Sequence, residues 1–143
     1  MAGSYRVGRD RVAGLGALAF LGVSIWSFLR YRPSGVAVRG PSMAPTLLPG
    51  DWALVVTPRT FAADDVVVVE HPGRPGYEMV KRLTAVPGDA VGGRMLGADE
   101  WWVEGDHAEA STDSRHFGPV TREELKAKVV VVYWPPSRRR RVG

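Results

Sequence analysis

The chain has 143 residues, 45% of them hydrophobic, with no cysteine and a formal net charge of +4. That length suits one compact domain plus a short appendage and excludes wholesale disorder, while the missing cysteines exclude disulfides, thiolate metal sites and thiol catalysis. The positive charge gathers at the ends, as Arg6, Arg9 and Arg11 and as Arg138 to Arg141, which suits anionic lipid, or no partner, better than nucleic acid.

Residues 1–11 form a basic tail. Val12 to Leu29 then runs eighteen residues without a charge, between Arg11 and Arg30. As a helix it reaches about 27 Å, at the short end of what crosses a roughly 30 Å hydrocarbon core. Trp26 and Tyr31 suit the lipid–water interface. A secretory signal peptide shares the basic start, but Ser27-Phe-Leu-Arg-Tyr-Arg32 has no small-x-small cleavage site and the run is long for such a segment. A buried core helix is the other alternative, given Gly14, Gly16 and Gly22. The favoured expectation is an uncleaved, single-pass membrane anchor over residues 12–29. Arginines on both sides leave its orientation undetermined by charge.

After a linker at 30–35, residues 36–136 read as mainly β. Short runs rich in valine and aromatics cover Val36–Val38, Trp52–Val56, Asp65–Glu70, Glu78–Leu83, Trp101–Glu104 and Lys128–Tyr133. Gly, Pro and Asp clusters separate them, as in a small antiparallel barrel or folded sheet. Thr121-Arg-Glu-Glu124 is a capping-box pattern and predicts a helical turn or two before the last strand. From Pro135 the Pro- and Arg-rich end reads as disordered, with residues 137–143 a basic tail.

Three segments carry chemistry. Gly40-Pro-Ser-Met-Ala-Pro-Thr-Leu-Leu-Pro-Gly-Asp51 sets Ser42 between prolines. Lys81-Arg-Leu-Thr-Ala-Val-Pro-Gly-Asp89 is a strand pattern bearing a lysine. Gly105-Asp-His-Ala-Glu-Ala-Ser-Thr-Asp-Ser-Arg-His-Phe-Gly118 is a polar, Gly-bounded loop. A serine hydroxyl needs a base, and His71, His107 and His116 are available, although the sequence sets none of them opposite Ser42. A lysine base needs its pKa brought from about 10.4 to about 8, which costs roughly 3 kcal/mol and is attainable in an apolar wall. On a Glu78–Leu83 strand, Met79, Lys81 and Leu83 share one face, leaving Arg82 able to reach solvent on the other. The plainer alternatives are a basic pair on an exposed strand and a loop salt bridge worth little.

In order and spacing these three segments resemble the signature boxes of the type I signal peptidases, membrane-bound serine proteases that work through a serine–lysine pair. The likeness covers roughly residues 36–136 with a family-like anchor in front, and suggests a short, bacterial or actinobacterial kind of member. It implies that Ser42 is the nucleophile and Lys81 the general base. Ser111 would orient the lysine, Asp113 and Arg115 would stiffen the loop, and Asp106 would tie the loop down. The backbone N–H of Ser42 would meet the oxyanion. Gly40 stands where some members carry a second oxyanion donor, and His107 followed by Ala108-Glu-Ala110 replaces the usual polar residues.

The resemblance also implies a membrane enzyme with an extracytoplasmic catalytic domain. Its partners would be the lipid bilayer and preprotein signal peptides, bound as an added strand and cut after small-x-small residues. Val36, Val38, Met43, Met79 and Val80 are candidate walls of that groove, with core packing the alternative use of each. No nucleic-acid partner, metal or organic cofactor is expected, since three scattered histidines make a poor ligand set. Two other functions stay open. One is a dedicated maturation protease of the same family, as for nickel superoxide dismutase, and the other a catalytically silent, membrane-tethered domain that binds peptides.

Overall fold

The computed structural model describes residues 21–24, 26 and 33–142. Contacts divide the chain into two units, residues 1–32 and 33–143. In the first, residues 21–24 and 26 are helical, with Leu21, Val23 and Trp26 exposed. The rest of the anchor expected over 12–29 lies outside the described residues. Among those described, no helix is long and apolar enough to cross a membrane.

The second unit is mainly β. Its strands are β1 (Ser34–Ala37), β2 (Trp52–Val56), β3 (Val66–Glu70), β4 (Glu78–Ala85), β5 (Ala90–Val91), β6 (Arg94–Met95), β7 (Trp102–Glu104), β8 (Leu125–Trp134) and β9 (Arg140–Arg141). One short helix, α1 (Ser114–Phe117), and two 3-10 turns, Ala108–Ala110 and Pro136–Arg138, complete it. The main sheet runs β1-β2-β8-β3-β4-β7 with antiparallel pairing throughout, β9 adds to β8, and β5–β6 is a separate hairpin.

Of the two sheet forms expected, the folded sheet is the one observed, and the closed barrel is not. Strands β1 and β7 end the path with four and three residues and do not pair with each other. Register breaks in the β2–β8 and β3–β8 ladders bend the sheet instead, because an irregular extra residue locally kinks a strand and tightens its twist.

Two cores lie against this bent sheet. Val66 and Val68 enter one, with Val38, Met43, Leu47, Val129 and Val132; Val67 and Val69 enter the other, with Leu83, Val103 and Leu125. The unbroken valine run of β3 is therefore a strand buried on both faces, each side chain contributing about 1.5–3 kcal/mol of burial. Strand β4 alternates as expected from Lys81 onward: Lys81, Leu83 and Ala85 are buried, while Arg82 is intermediate and Thr84 exposed.

Two local expectations are corrected. The Thr121–Glu124 box forms, with Glu124 Oε2 accepting from Thr121 N at 2.6 Å, but it closes a turn rather than a helix. β8 starts at Leu125, so no residues remain for further turns. The C-terminal segment is ordered rather than disordered. Its backbone pairs with β8 as β9, Val142 is buried, and Arg138 binds Asp51. Composition misled here because one apolar residue and one ion pair suffice to fasten so short a segment.

Candidate active site

Three segments converge on one open groove of about 780 Å³. Residues 36–43 form one wall and residues 76–81 of β4 and its approach the other, with His71, Arg74, Ala110 and Thr112 at the margins. Both Ser42 and Lys81 line it, as do Val36, Val38, Met43, Met79 and Val80. Val38 and Met43 also belong to the first core, Val36 and Val80 pack against it, and Met79 packs against the second. Each apolar candidate thus serves both packing and groove.

Ser42 sits in a series of turns between β1 and β2 and is partly exposed. Among the described residues neither its hydroxyl nor its N–H makes a hydrogen bond, whereas its carbonyl accepts from His107 N–H at 3.0 Å. The serine is held by its backbone carbonyl, with its hydroxyl and N–H left unbonded among the described residues.

Lys81 is only 3% exposed. It stands opposite Val67 in the ladder, next but one to fully buried Leu83. Its ammonium makes no salt bridge among the described residues; Nζ donates to Ser111 Oγ at 2.9 Å. Burial lowers its pKa, an effect that the Asp113 charge opposes and the Arg115 charge reinforces.

Asp113 anchors the polar loop. Its side chain accepts five hydrogen bonds: from Ser111 Oγ at 2.6 Å, Gly105 N–H at 2.9 Å, and Arg115 through Nε at 2.9 Å, Nη2 at 2.6 Å and N–H at 3.2 Å. Burial pushes its pKa up, but Arg115, Ser111 and the backbone donors outweigh it and hold the carboxyl well below the usual range. Asp113 also caps α1, reciprocally with His116, which accounts for a helix of only four residues.

Asp106 in the loop is bound by Arg82, a partner the sequence did not reveal. Arg82 does not reach freely into solvent: Nε and Nη2 both bind Asp106 at 2.8 Å, and Nη1 donates to Asp64 O at 2.9 Å. Burial raises the Asp106 pKa, and the hydrogen bonds from Arg82 and Thr46 overcome it, leaving it lowered. Strict alternation along β4 was the available signal, since it puts Arg82 on the face opposite Lys81.

Gly105 has a steric reason. A Cβ there would stand 2.2 Å from Ser111 Oγ and 2.6 Å from Ser42 O. The polar loop and the Ser42 segment therefore touch through a position with no side chain. Two of the three histidines are otherwise occupied. His71 Nδ1 accepts from Gly73 N–H, His116 Nδ1 accepts from Asp113 N–H, and none of the three bonds the Ser42 hydroxyl.

The chain matches the family described as signal peptidase, peptidase S26, over residues 11–95 and 91–134. It is 37% identical over 125 residues to the mitochondrial ATP-independent inner membrane protease subunit 1a of Arabidopsis thaliana, covering 76% of this chain and 74% of that one. It is 32% identical over 120 residues to the mitochondrial inner membrane protease subunit 2 of Saccharomyces cerevisiae, covering 71% and 68%. Against subunit 1 of Schizosaccharomyces pombe the identity is 32% over 110 residues, covering 67% and 70%. The chain belongs to the signal peptidase, peptidase S26, family. These relatives are named as mitochondrial inner membrane protease subunits.

Two measurements test this geometry. Gly105→Ala forces Ser111 or the Ser42 segment to shift and should cost about 1–3 kcal/mol, read as a lower urea midpoint; an unchanged midpoint would contradict the close approach. Lys81→Met should raise Tm at pH 7 by about 4–8 °C, the size of one kcal/mol in a small domain. The folded chain bears the full cost of the buried ammonium below the lowered Lys81 pKa, and that cost fades as pH climbs toward 10.5. The gain from Lys81→Met should therefore shrink with rising pH, and an equal gain at pH 7 and pH 10.5 would contradict the burial argument.

Proposed function

We propose that this chain is a membrane-tethered serine endopeptidase that removes N-terminal leaders after small-x-small residues, with Ser42 as nucleophile and Lys81 as general base. The observation that carries it is the buried Lys81 amine, bound to a hydroxyl and to no carboxylate, in the groove where Ser42 presents a free hydroxyl. Family membership supports the peptidase class.

The hydrogen-bond order decides what the lysine can do. Asp113 is ionised and can only accept, so the Ser111 proton points to it. Ser111 Oγ then has only lone pairs to offer Lys81 and takes one of its N–H groups. A neutral Lys81 keeps its own lone pair for the Ser42 proton. Ser42 Oγ attacks the scissile carbonyl carbon, its proton passes to Lys81 Nζ, and the free Ser42 N–H donates to the oxyanion. Collapse breaks the C–N bond, and Lys81 hands the proton to the leaving amine. Water, deprotonated by Lys81, then attacks the acyl carbon; the bond to Ser42 Oγ breaks, and Lys81 returns the proton to that oxygen.

An extended substrate lies between residues 36–39 and β4, where small side chains fit against Val36, Val38 and Met79. Exposed Leu21, Val23 and Trp26 on the described helical residues support a lipid-facing segment ahead of the domain. The relatives are named as inner membrane protease subunits. Their names favour a second reading, in which the chain is one subunit of a protease assembly.

Cleavage of a preprotein by the detergent-solubilised full chain is the test. Ser42→Ala and Lys81→Ala should each lose at least about 10³-fold in kcat, as for units that act together. The wild-type rate should rise with pH as Lys81 loses its proton, with a midpoint below 10.5 because burial favours the neutral amine. Activity surviving Lys81→Ala would transfer the base to a histidine, and cleavage by Ser42→Ala would end the proposal. Val38→Trp fills the groove and should stop cleavage while Ser42 still reacts with a small acylating probe; unchanged processing would remove Val38 from the groove.

A further inference from the structure

The C-terminal segment lines no part of the groove, yet it grips the loop that carries Ser42. That loop closes on itself between Val38 and Asp51. Val38 N–H donates to Asp51 O at 2.8 Å and Gly50 N–H to Val38 O at 2.9 Å. The Asp51 side chain folds back into the loop, its Oδ2 accepting from Leu48 N–H at 2.9 Å. Asp51 is 1% exposed, so its charge needs a partner beyond one backbone donor. The partner lies 87 residues downstream: Arg138 Nε meets Oδ1 at 2.8 Å and Nη2 meets Oδ2 at 2.9 Å.

A second contact lies a few residues on. Val142 is buried in the core cluster that holds Val38, Met43 and Leu47, and its N–H donates to Val130 O at 3.0 Å. Met43 adjoins Ser42, and Met43 O accepts from Leu47 N–H at 2.8 Å. The segment thus meets the loop twice, by a forked ion pair at its exit and by an apolar side chain in the cluster that seats Met43. It makes no hydrogen bond to Lys81, Ser111 or Asp113.

We propose that residues 136–142 form a clasp that fixes the Ser42 loop, with Arg138 as a positioning residue acting through Asp51. The inference rests on Ser42 being the nucleophile. An attacking oxygen displaced by about 1 Å can cost on the order of 10²-fold in rate. The lysine arm is held separately, by β4 and the polar loop. Loosening the clasp therefore misplaces the nucleophile and leaves the ionisation of the base alone. Lysine at 138 would restore the charge but not the fork.

The test uses the full chain in detergent, comparing wild type, Arg138→Met and Arg138→Lys by amide hydrogen exchange and by steady-state cleavage of a leader-bearing preprotein. Arg138→Met should speed exchange at residues 43–51 by about tenfold and lower kcat by about tenfold, with KM changed less than about twofold. The midpoint of the pH–rate profile should stay in place, and Arg138→Lys should recover part of both losses. Unchanged exchange in the loop would overturn the clasp. Equal acceleration in β3, β4 and β8 would reduce it to general stability and overturn it as well. A faster-exchanging loop with wild-type kcat would overturn the positioning role. Active Ser42→Ala would instead refute the nucleophile assignment, and the exchange arm would still decide the clasp.

Discussion

The Asp113 carboxylate is fully buried and still ionised, and the geometry of the site descends from that. Burial alone would push its pKa up. Five donors reverse the balance: three from Arg115, one from Ser111 and one from Gly105 N–H. Once ionised, it can only accept, so the Ser111 proton is committed to it and Ser111 can only accept from Lys81. A protonated Asp113 could donate to Ser111, turn that hydroxyl around and occupy the lone pair of a neutral lysine. In the proposed mechanism, then, a carboxylate that touches neither Ser42 nor Lys81 fixes the direction in which the proton can move.

The same carboxylate ties three parts of the chain together. Its bond from Gly105 N–H brings the end of β7 to the helix cap, and Gly105 has no Cβ to keep Ser111 and the Ser42 carbonyl apart. His107 N–H then holds that carbonyl from the other side. Below them Arg82 binds Asp106 from β4, so one strand supplies both the buried lysine and the tie for the opposing loop. Adjacent residues of a strand point to opposite faces, which lets Lys81 and Arg82 serve such different ends. The β3 valines are buried on both sides, and their strand joins β4 to β8 in the sheet.

Much of this was legible in the sequence where local chemistry and tertiary placement agree. Valine-rich runs between turn residues marked six of the strands within a few residues, and alternation put Lys81 in the apolar wall. The fold of the sheet was not legible as open or closed, because that depends on register breaks in β2 and β8 that no residue type announces. The hairpin Ala90–Val91 with Arg94–Met95 was missed because two-residue strands carry no period. α1 was missed for a related reason: Asp113, Ser114 and His116 look like loop residues, and only the reciprocal cap makes Ser114–Phe117 helical. Arg82 was misjudged because a side chain that alternation sends outward meets Asp106 only once the polar loop is folded over it.

The terminal arginines show where composition stops being informative. As a block they suggest one role, a disordered basic tail near lipid. In the folded chain they separate. Arg138 neutralises Asp51, Arg139 donates from Nε to Tyr133 O, and Arg140 and Arg141 are exposed on a strand beside β8. A buried carboxylate at the end of the Ser42 loop is what draws Arg138 out of the block, and burial of Val142 requires the chain between them to run along β8. Pairing with β8 in turn fixes the backbone of Arg140 and Arg141, so their side chains leave a rigid edge rather than a mobile tail. The two exposed arginines thus belong to the same segment that grips the Ser42 loop.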